Sequence, residues 1–475
     1  MKNYLSLLII ITFLLSWGCK KEYAPPTVNA PQSTNVEITK TVDLNFNYNA
    51  EAGFKSSSVT ATGGAADIKT DGIAGSVSGT IVVSFTAGTT IGAGAVVLTV
   101  TDNEDRTESE TAVLNIQGVP TISVTANISS NTTWETGKIY ILEGRIAVLS
   151  GATLTIQPGV IVKGREGSEA NASALIIARG GKIMAEGTAN SPIIFTSVSD
   201  QILPGQIASP NLDPTLNGLW GGLLILGKAP ISADAEAMQI EGIPPSDLNG
   251  LYGGTDPADN SGIVRYVSIR HGGTNIGEGN EINGLTLGGV GSGTIIENIE
   301  IVANQDDGIE WFGGTVNVKN VVVWNTGDDA IDTDQSWGGT LDNFIIVNPG
   351  DECLELDGPE GIMAAKHTLK NGTAYAGNAQ GLVDLDPNSY VDIDRMYFFG
   401  LKTGQDFDEL PTIYQCTFTN FQVTLPAGTS VSDFFKGGSD QFTTAVAAGA
   451  KTVGADASKF QGWSWTAVSN TLNGF

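Results

Sequence analysis

The sequence predicts an all-β chain: a parallel β-helix, or solenoid, preceded by a small Ig-like β-sandwich. Three observations carry that prediction. First, Gly293 to Gly358 reads as three imperfect copies of one unit: GTIIENIEIVANQDDGIEWFGG, GTVNVKNVVVWNTGDDAIDTDQSWGG and GTLDNFIIVNPGDECLELDG. These place Asn298, Asn320 and Asn343 in register, 22 and 23 residues apart, a period at which β-rich coils stack. Second, each copy holds an acid pair (Asp306-Asp307, Asp328-Asp329, Asp351-Glu352) followed by a short alternating strand. Ile309/Trp311, Ile331/Thr333 and Leu354/Leu356 turn one way; Glu310/Phe312, Asp332/Asp334 and Glu355/Asp357 turn the other. Third, 60 glycines and only 16% charged residues suit short strands joined by tight turns.

Taken in order, residues 1–18 read as a signal peptide, with Met1-Lys2 as its charged end and Leu5 to Leu15 as an apolar core too short to span a membrane stably. Gly18 directly before Cys19 resembles the lipobox of bacterial lipoproteins, which implies cleavage there and lipidation of Cys19. A plain secretory signal with an incidental cysteine is the alternative. Residues 19–32, containing YAPPTVNAPQ, are a Pro-rich tether. Residues 33–118 alternate as about seven short strands, the Ig-like sandwich. Asp102, Asp105 and Glu108 there read either as a calcium site or, the favoured reading, as exposed turn acids. Residues 119–412 form roughly 12 solenoid coils, interrupted by polar insertions from Asp200 to Asn217 and from Pro244 to Gly262. Residues 413–475 read as a cap over the last rung, whose open edge would otherwise invite association. Aromatic-Gly-Gly recurs at Trp220, Tyr252, Phe312 and Trp337, either as platforms for sugar rings or, the favoured reading, as corner punctuation.

The strand register extends past the three copies. A longer turn and then a further 22-residue step extend the two outward columns: Glu310, Asp332, Glu355, Asp384, Asp406, and beside it Phe312, Asp334, Asp357, Asp386, Asp408. Rungs sit about 4.8 Å apart, so these carboxylates repel unless something relieves them. A solvated acidic face is one answer. The other is Ca²⁺ between rungs, bound by column acids and centred on Asp332, Asp334, Glu355 and Asp357, because a hard cation takes six to eight oxygens. The corner acids Asp306, Asp307, Asp328, Asp329, Asp351 and Glu352 add a third cluster.

The formal net charge is −27, which excludes nucleic acid as a partner for want of a basic patch. Cys353 and Cys416 lie 63 residues apart, about three coils, too far for a disulfide, so both are expected free and buried. Two histidines make no zinc site, and no P-loop or nucleophile elbow is present.

The runs GTANSPIIFTS, GLWGGLLILGKAPI, VRYVSIRHGG, EINGLTLGGVGSGT and DDGIEWFGGTVNVKN resemble a family of bacterial cell-envelope proteins, many of them lipoproteins, built as a right-handed parallel β-helix. Names implying drug transport are sometimes attached to that family, but nothing after residue 18 could span a membrane as a helix. Most members of that family have no assigned activity; a lipid anchor, a spacer and a long rigid solenoid make a display device, so the expectation is a binding or scaffold module on the outer membrane, with a polysaccharide or a receptor protein as partner. NTGDDAID and GDECLEL also resemble the acid motif of polygalacturonase-type hydrolases, without their Gly-His-Gly and Arg-x-Lys partners. That resemblance makes Asp328, Asp329 and Glu352 the candidate catalytic acids. A Ca²⁺-dependent lyase would add Arg395 or Lys402 as its base. No catalysis is the favoured expectation.

Overall fold

The computed structural model describes residues 21–168, 171–275 and 282–475. The expected signal peptide and Cys19 lie outside these. The chain divides into two compact units, at Val119 and Pro120.

Among the described residues, the first unit holds eight strands in two four-stranded sheets. Leu44, Phe46 and Tyr48 alternate inward from one sheet, and Val96, Leu98 and Val100 from the other; Tyr48 meets Phe54 across the gap, 5.0 Å between rings. Two expectations change here. Thr27–Asn29, inside the supposed tether, is an edge strand antiparallel to Asn47, Tyr48 and Asn49. It is held because Val28 is buried and Arg106 donates to the carbonyls of Tyr23 (2.5 Å) and Ala24 (3.0 Å). Asp102 is fully buried rather than exposed, accepting from the backbone N–H of Glu104 and Arg106 and from the Arg106 guanidinium.

The second unit is a right-handed parallel β-helix. Its longest sheet follows a path of twelve strands, from Thr121–Val124 to Thr443–Ala445, and a second sheet stacks eight, from Arg145–Val148 to Asp384–Leu385. Inward residues of both sheets make one continuous core, with Trp311 and Trp337 stacked 4.6 Å apart and His367 stacked on Trp337 at 5.3 Å. Trp220, Tyr252, Phe312 and Trp337 are all buried, so the aromatic-Gly-Gly corners are core and edge cover, not platforms.

The long sheet bends where Asn298, Asn320, Asn343 and Asn371 adopt φ of 57°, 56°, 64° and 59°, a left-handed conformation that asparagine tolerates better than most residues. Asn320 Nδ2 donates to Asn298 Oδ1 at 3.0 Å, and Asn343 Nδ2 to Asn320 Oδ1 at 2.8 Å. The predicted asparagine stack is therefore a hydrogen-bonded ladder.

The C-terminal stretch does two jobs where one was expected. Phe421–Val423 and Thr443–Ala445 add two rungs, and Phe434, Phe435 and Phe442 close the core behind Phe407. Phe460, Trp463, Trp465 and Leu472 instead pack back along the outside of the long sheet, on Val302, Val322, Trp324 and Ile345. Thr466 fastens this strap: its N–H and hydroxyl donate to Glu300 Oε1 at 2.8 and 2.7 Å. Outward apolar residues on those strands require such a cover.

Candidate functional site

The second sheet carries the acids. Ile309–Phe312, Ile331–Asp334, Leu354–Leu356 and Asp384–Leu385 pair in parallel, setting Glu310 beside Asp332, Asp332 beside Glu355, and Glu355 beside Asp384. Phe312 lies beside Asp334, and Asp357 and Asp386 follow in the second column. The first four rungs thus match the expected columns, the longer turn before Asp384 included. The fifth does not: a bridge pairs Val383 with Phe407, which brings Asp408, not Asp406, beside Asp384. A slip of two residues keeps every side chain on its face, so alternation alone cannot detect it. The turn sets it, with Gln405 Nε2 donating to the carbonyls of Ala376 and Ala379. One rung later Phe407 pairs with Phe435, and the neighbouring Lys436 ends the column by ion-pairing with Asp406.

Corner acids form a parallel rail. Asp307 Oδ1 accepts the N–H of Asp329 at 3.0 Å, and Asp329 Oδ1 accepts the N–H of Glu352 at 2.5 Å. Asp307, Glu310 and Asp329 are buried, 4 to 7% exposed, whereas Asp384, Asp386 and Asp408 are exposed. Burial at the first end comes from the segment around Ile231, Ile240, Ile243 and Tyr252, which packs with Phe312 over the sheet.

Two groups of acids draw closest, Asp306, Asp307 and Asp328, and Asp307, Glu310 and Asp332; within each, one oxygen per residue lies within 4.8 Å of the others. The tightest gathering therefore sits one rung before the expected centre at Asp332, Asp334, Glu355 and Asp357. Two ionised carboxylates no farther apart than that repel by roughly 3.5 kcal/mol or more at an effective dielectric of 20. No Lys or Arg pairs with Asp307, Glu310, Asp329, Asp332, Asp334, Glu352, Glu355, Asp357, Asp384, Asp386 or Asp408 among the described residues. Burial, and then the neighbouring acids, push Asp307, Glu310 and Asp332 well above the carboxylate range. Asp329 rises to about 10 through burial and a hydrogen bond with Glu355. Burial first, with adjacent carboxylates, lifts Glu352 to about 8 and Asp334 and Asp357 to about 7.

The candidate bases stand apart. Arg395 is on the long sheet, bound to Asp394 and donating to Asn371 Oδ1 at 2.6 Å, so it does not face these acids. Lys402 is exposed on the turn before Gln405. His271 and His367 are both buried, and burial lowers both, His367 to about 3. Cys353 is buried and Cys416 half-buried; both are free.

Sequence reasoning missed Asn283. Its signal was present, because NGLTLGG aligns with DGIEWFGG and puts Asn283 in the Asp307 position and Thr286 in the Glu310 position. It also missed the buried pair Arg270 and Glu300, both 0% exposed, with Arg270 5.1 Å over the Trp465 ring. Nothing in an isolated RHGG announces that partner.

Parallel coils stacked around one continuous core define a parallel β-helix protein. The comparisons specify it further: residues 126–467 match the pectate-lyase-like β-helix domain, and the chain belongs to that family. Among solved structures, the family 28 exopolygalacturonase of Yersinia enterocolitica aligns at 10% identity over 89% of this chain and 90% of that one, with a TM-score of 0.24. A point mutant of the SrpA adhesin of Streptococcus sanguinis aligns at 14% identity over 23% of this chain and 70% of that one, with a TM-score of 0.18. No curated protein matches the chain. Among the described residues, no helix is long and apolar enough to cross a membrane.

Proposed function

We propose that this chain is a non-enzymatic binding and scaffold module of the bacterial envelope, anchored to the outer membrane through Cys19, that engages a polysaccharide along the exposed end of its acid ladder. The observation that supports this reading is the state of Asp329, the central candidate acid. It is 4% exposed and its Oδ1 is committed to the Glu352 N–H, so a polymer cannot reach it. The exposed acids Asp384, Asp386 and Asp408 form an open row of acceptors suited to sugar hydroxyls. Affinity electrophoresis against pectin, alginate and neutral glucans should show retardation without chain cleavage, weakened in Asp384→Asn/Asp408→Asn. Release of reducing ends by the wild type would overturn the proposal. Fatty-acid labelling should mark the chain and vanish in Cys19→Ala.

A second reading has one specific support. Glu352 is half-buried with its carboxyl lifted to about 8, beside Asp384, Asp406 and Asp408, the condition of a general acid. Depolymerisation lost in Glu352→Gln would select it.

A further inference from the structure

The long sheet carries a further column, one residue before its bend at the asparagines. Glu186, Arg265, Glu297, Lys319, Asp342, Lys370 and Asp394 are register partners on successive rungs, and their charges alternate in sign without a break. Cross-strand neighbours of opposite sign attract, so such a column can neutralise itself, and most of it does. Arg265 pairs with Glu186 at 3.6 Å and with Glu297 at 2.6 Å, and Lys370 pairs with Asp342 at 3.7 Å. Asp342 also accepts from Asn371 Nδ2 at 2.7 Å, and Arg395 takes Asp394. Lys319 is exposed between Glu297 and Asp342 and makes no ion pair among the described residues, because both neighbouring acids are engaged by the next cation along. Its ammonium stands on the wall of a cleft of about 260 Å³, lined also by the ladder amides of Asn320, Asn343 and Asn371 and by the start of the strap. The strap is fixed there: the N–H of Asp456 donates to Asn343 Oδ1 at 2.6 Å, and that of Ala455 to Thr373 Oγ1 at 2.8 Å. The other charged side chains of the lining are paired, Asp342 with Lys370 and Asp456 with Lys459, each at 3.7 Å. One cation is left over, beside a surface of amides.

We propose that this cleft binds a carboxylated sugar, a uronic acid residue, with Lys319 holding the carboxylate and the ladder amides holding ring hydroxyls. An ammonium offers an anion three donors and a full charge. Sugar hydroxyls both donate and accept, and so do amides, each of which has two hydrogens and two lone pairs. Asn320 and Asn371 can therefore keep their bonds to Asn298 and Asp342 and still offer one N–H apiece to a ligand. The volume lies just under the roughly 300 Å³ at which pockets for drug-sized ligands begin, which suits one or two sugar rings. A plain anion would use Lys319 and leave the amides idle; a neutral sugar would use the amides and leave the charge unmet. The sugar acid alone meets both. This cleft shares no residue with Asp384, Asp386 and Asp408, so it stands or falls apart from the binding face proposed above.

The test is calorimetric titration of the full chain with digalacturonate at neutral pH and low salt, where one saturable site is expected. Lactose, a disaccharide without carboxylates, should bind roughly tenfold more weakly or less, as should digalacturonate to Lys319→Met, the scale of one hydrogen-bonded charge. Lys319 is exposed, so that variant should melt with the wild type. Asp384→Asn/Asp408→Asn should bind digalacturonate as the wild type does, whatever it does to polymer retardation. Loss of binding in that double variant would place the sugar acid on the acid ladder and overturn the proposal. It is overturned equally by a wild type that does not bind, by binding that survives Lys319→Met, or by lactose binding as well as digalacturonate. Displacement of digalacturonate by an equal concentration of inorganic phosphate would reduce the cleft to a plain anion site and overturn it too.

Discussion

Two ladders run along this solenoid at the same 22- and 23-residue spacings, and they solve opposite problems. The asparagine ladder on the long sheet closes its own bonds: Asn320 donates to Asn298 and accepts from Asn343, whose Oδ1 in turn accepts the N–H of Asp456. The acid ladder on the neighbouring sheet has only acceptors when ionised, so stacking it creates repulsion that the chain itself does not cancel. The lesson is that one repeat can stiffen a fold through one column and store demand for a proton, a cation or a ligand through another. Function is to be sought in the column that cannot close its own bonds.

The comparison breaks most sharply at Asn320. Asn320→Ala removes two ladder hydrogen bonds, each worth about 1 kcal/mol. It also places a residue without a polar side chain at φ 56°, which costs about 1 to 2 kcal/mol more. A loss of about 2 to 4 kcal/mol in denaturant unfolding is expected. An unchanged midpoint would show that the asparagine ladder is incidental.

How much of this was legible follows from which constraints are local. Repeat spacing and alternation sufficed for the parallel coils, the asparagine register and four acid rungs, because strand pairing at period two is written in every residue. Alternation says which face a side chain takes but not what covers that face. Glu310 and Asp332 therefore read as outward, while the cover by Ile231 and Tyr252 comes from a distant stretch that runs into the Pro244 to Gly262 insertion and has no periodicity. The two-residue slip at Phe407 is invisible for the same reason. Equally, the strap's contact between Thr466 and Glu300 spans 166 residues, and no motif in either segment names the other.

The second test is pH, and the two kinds of buried group oppose each other. Glu352 and Asp357 titrate at about 8 and about 7 in the folded chain, above their ordinary values of 4.5 and 3.8. Their contribution is full below pH about 4 and lost as pH rises through 7 and 8. His271 and His367 are depressed below 6.5, so their contribution is present above that value and lost as pH falls. In chelator, melting temperature should climb as pH drops from about 8.5 to 6.5, then level or turn as the histidines charge on unfolding. A flat profile above pH 6.5 would mean that the acid ladder carries no strain.

The smallest effect on stability should come from the ladder's exposed end, and that smallness is informative. Asp386 and Asp408 are exposed, and neither pairs with a lysine or arginine among the described residues. Water solvates them, so neutralising both as Asn should move the melting temperature by no more than about 1 °C, the usual scale for surface substitutions. If that holds while glycan retardation falls, the ladder separates into a buried half that sets stability and an exposed half that sets recognition. A large melting shift instead would mean that the repulsion runs unbroken from Glu310 to Asp408. Binding and stability would then be inseparable along the column, and the contrast between its ends would reduce to degree of exposure alone.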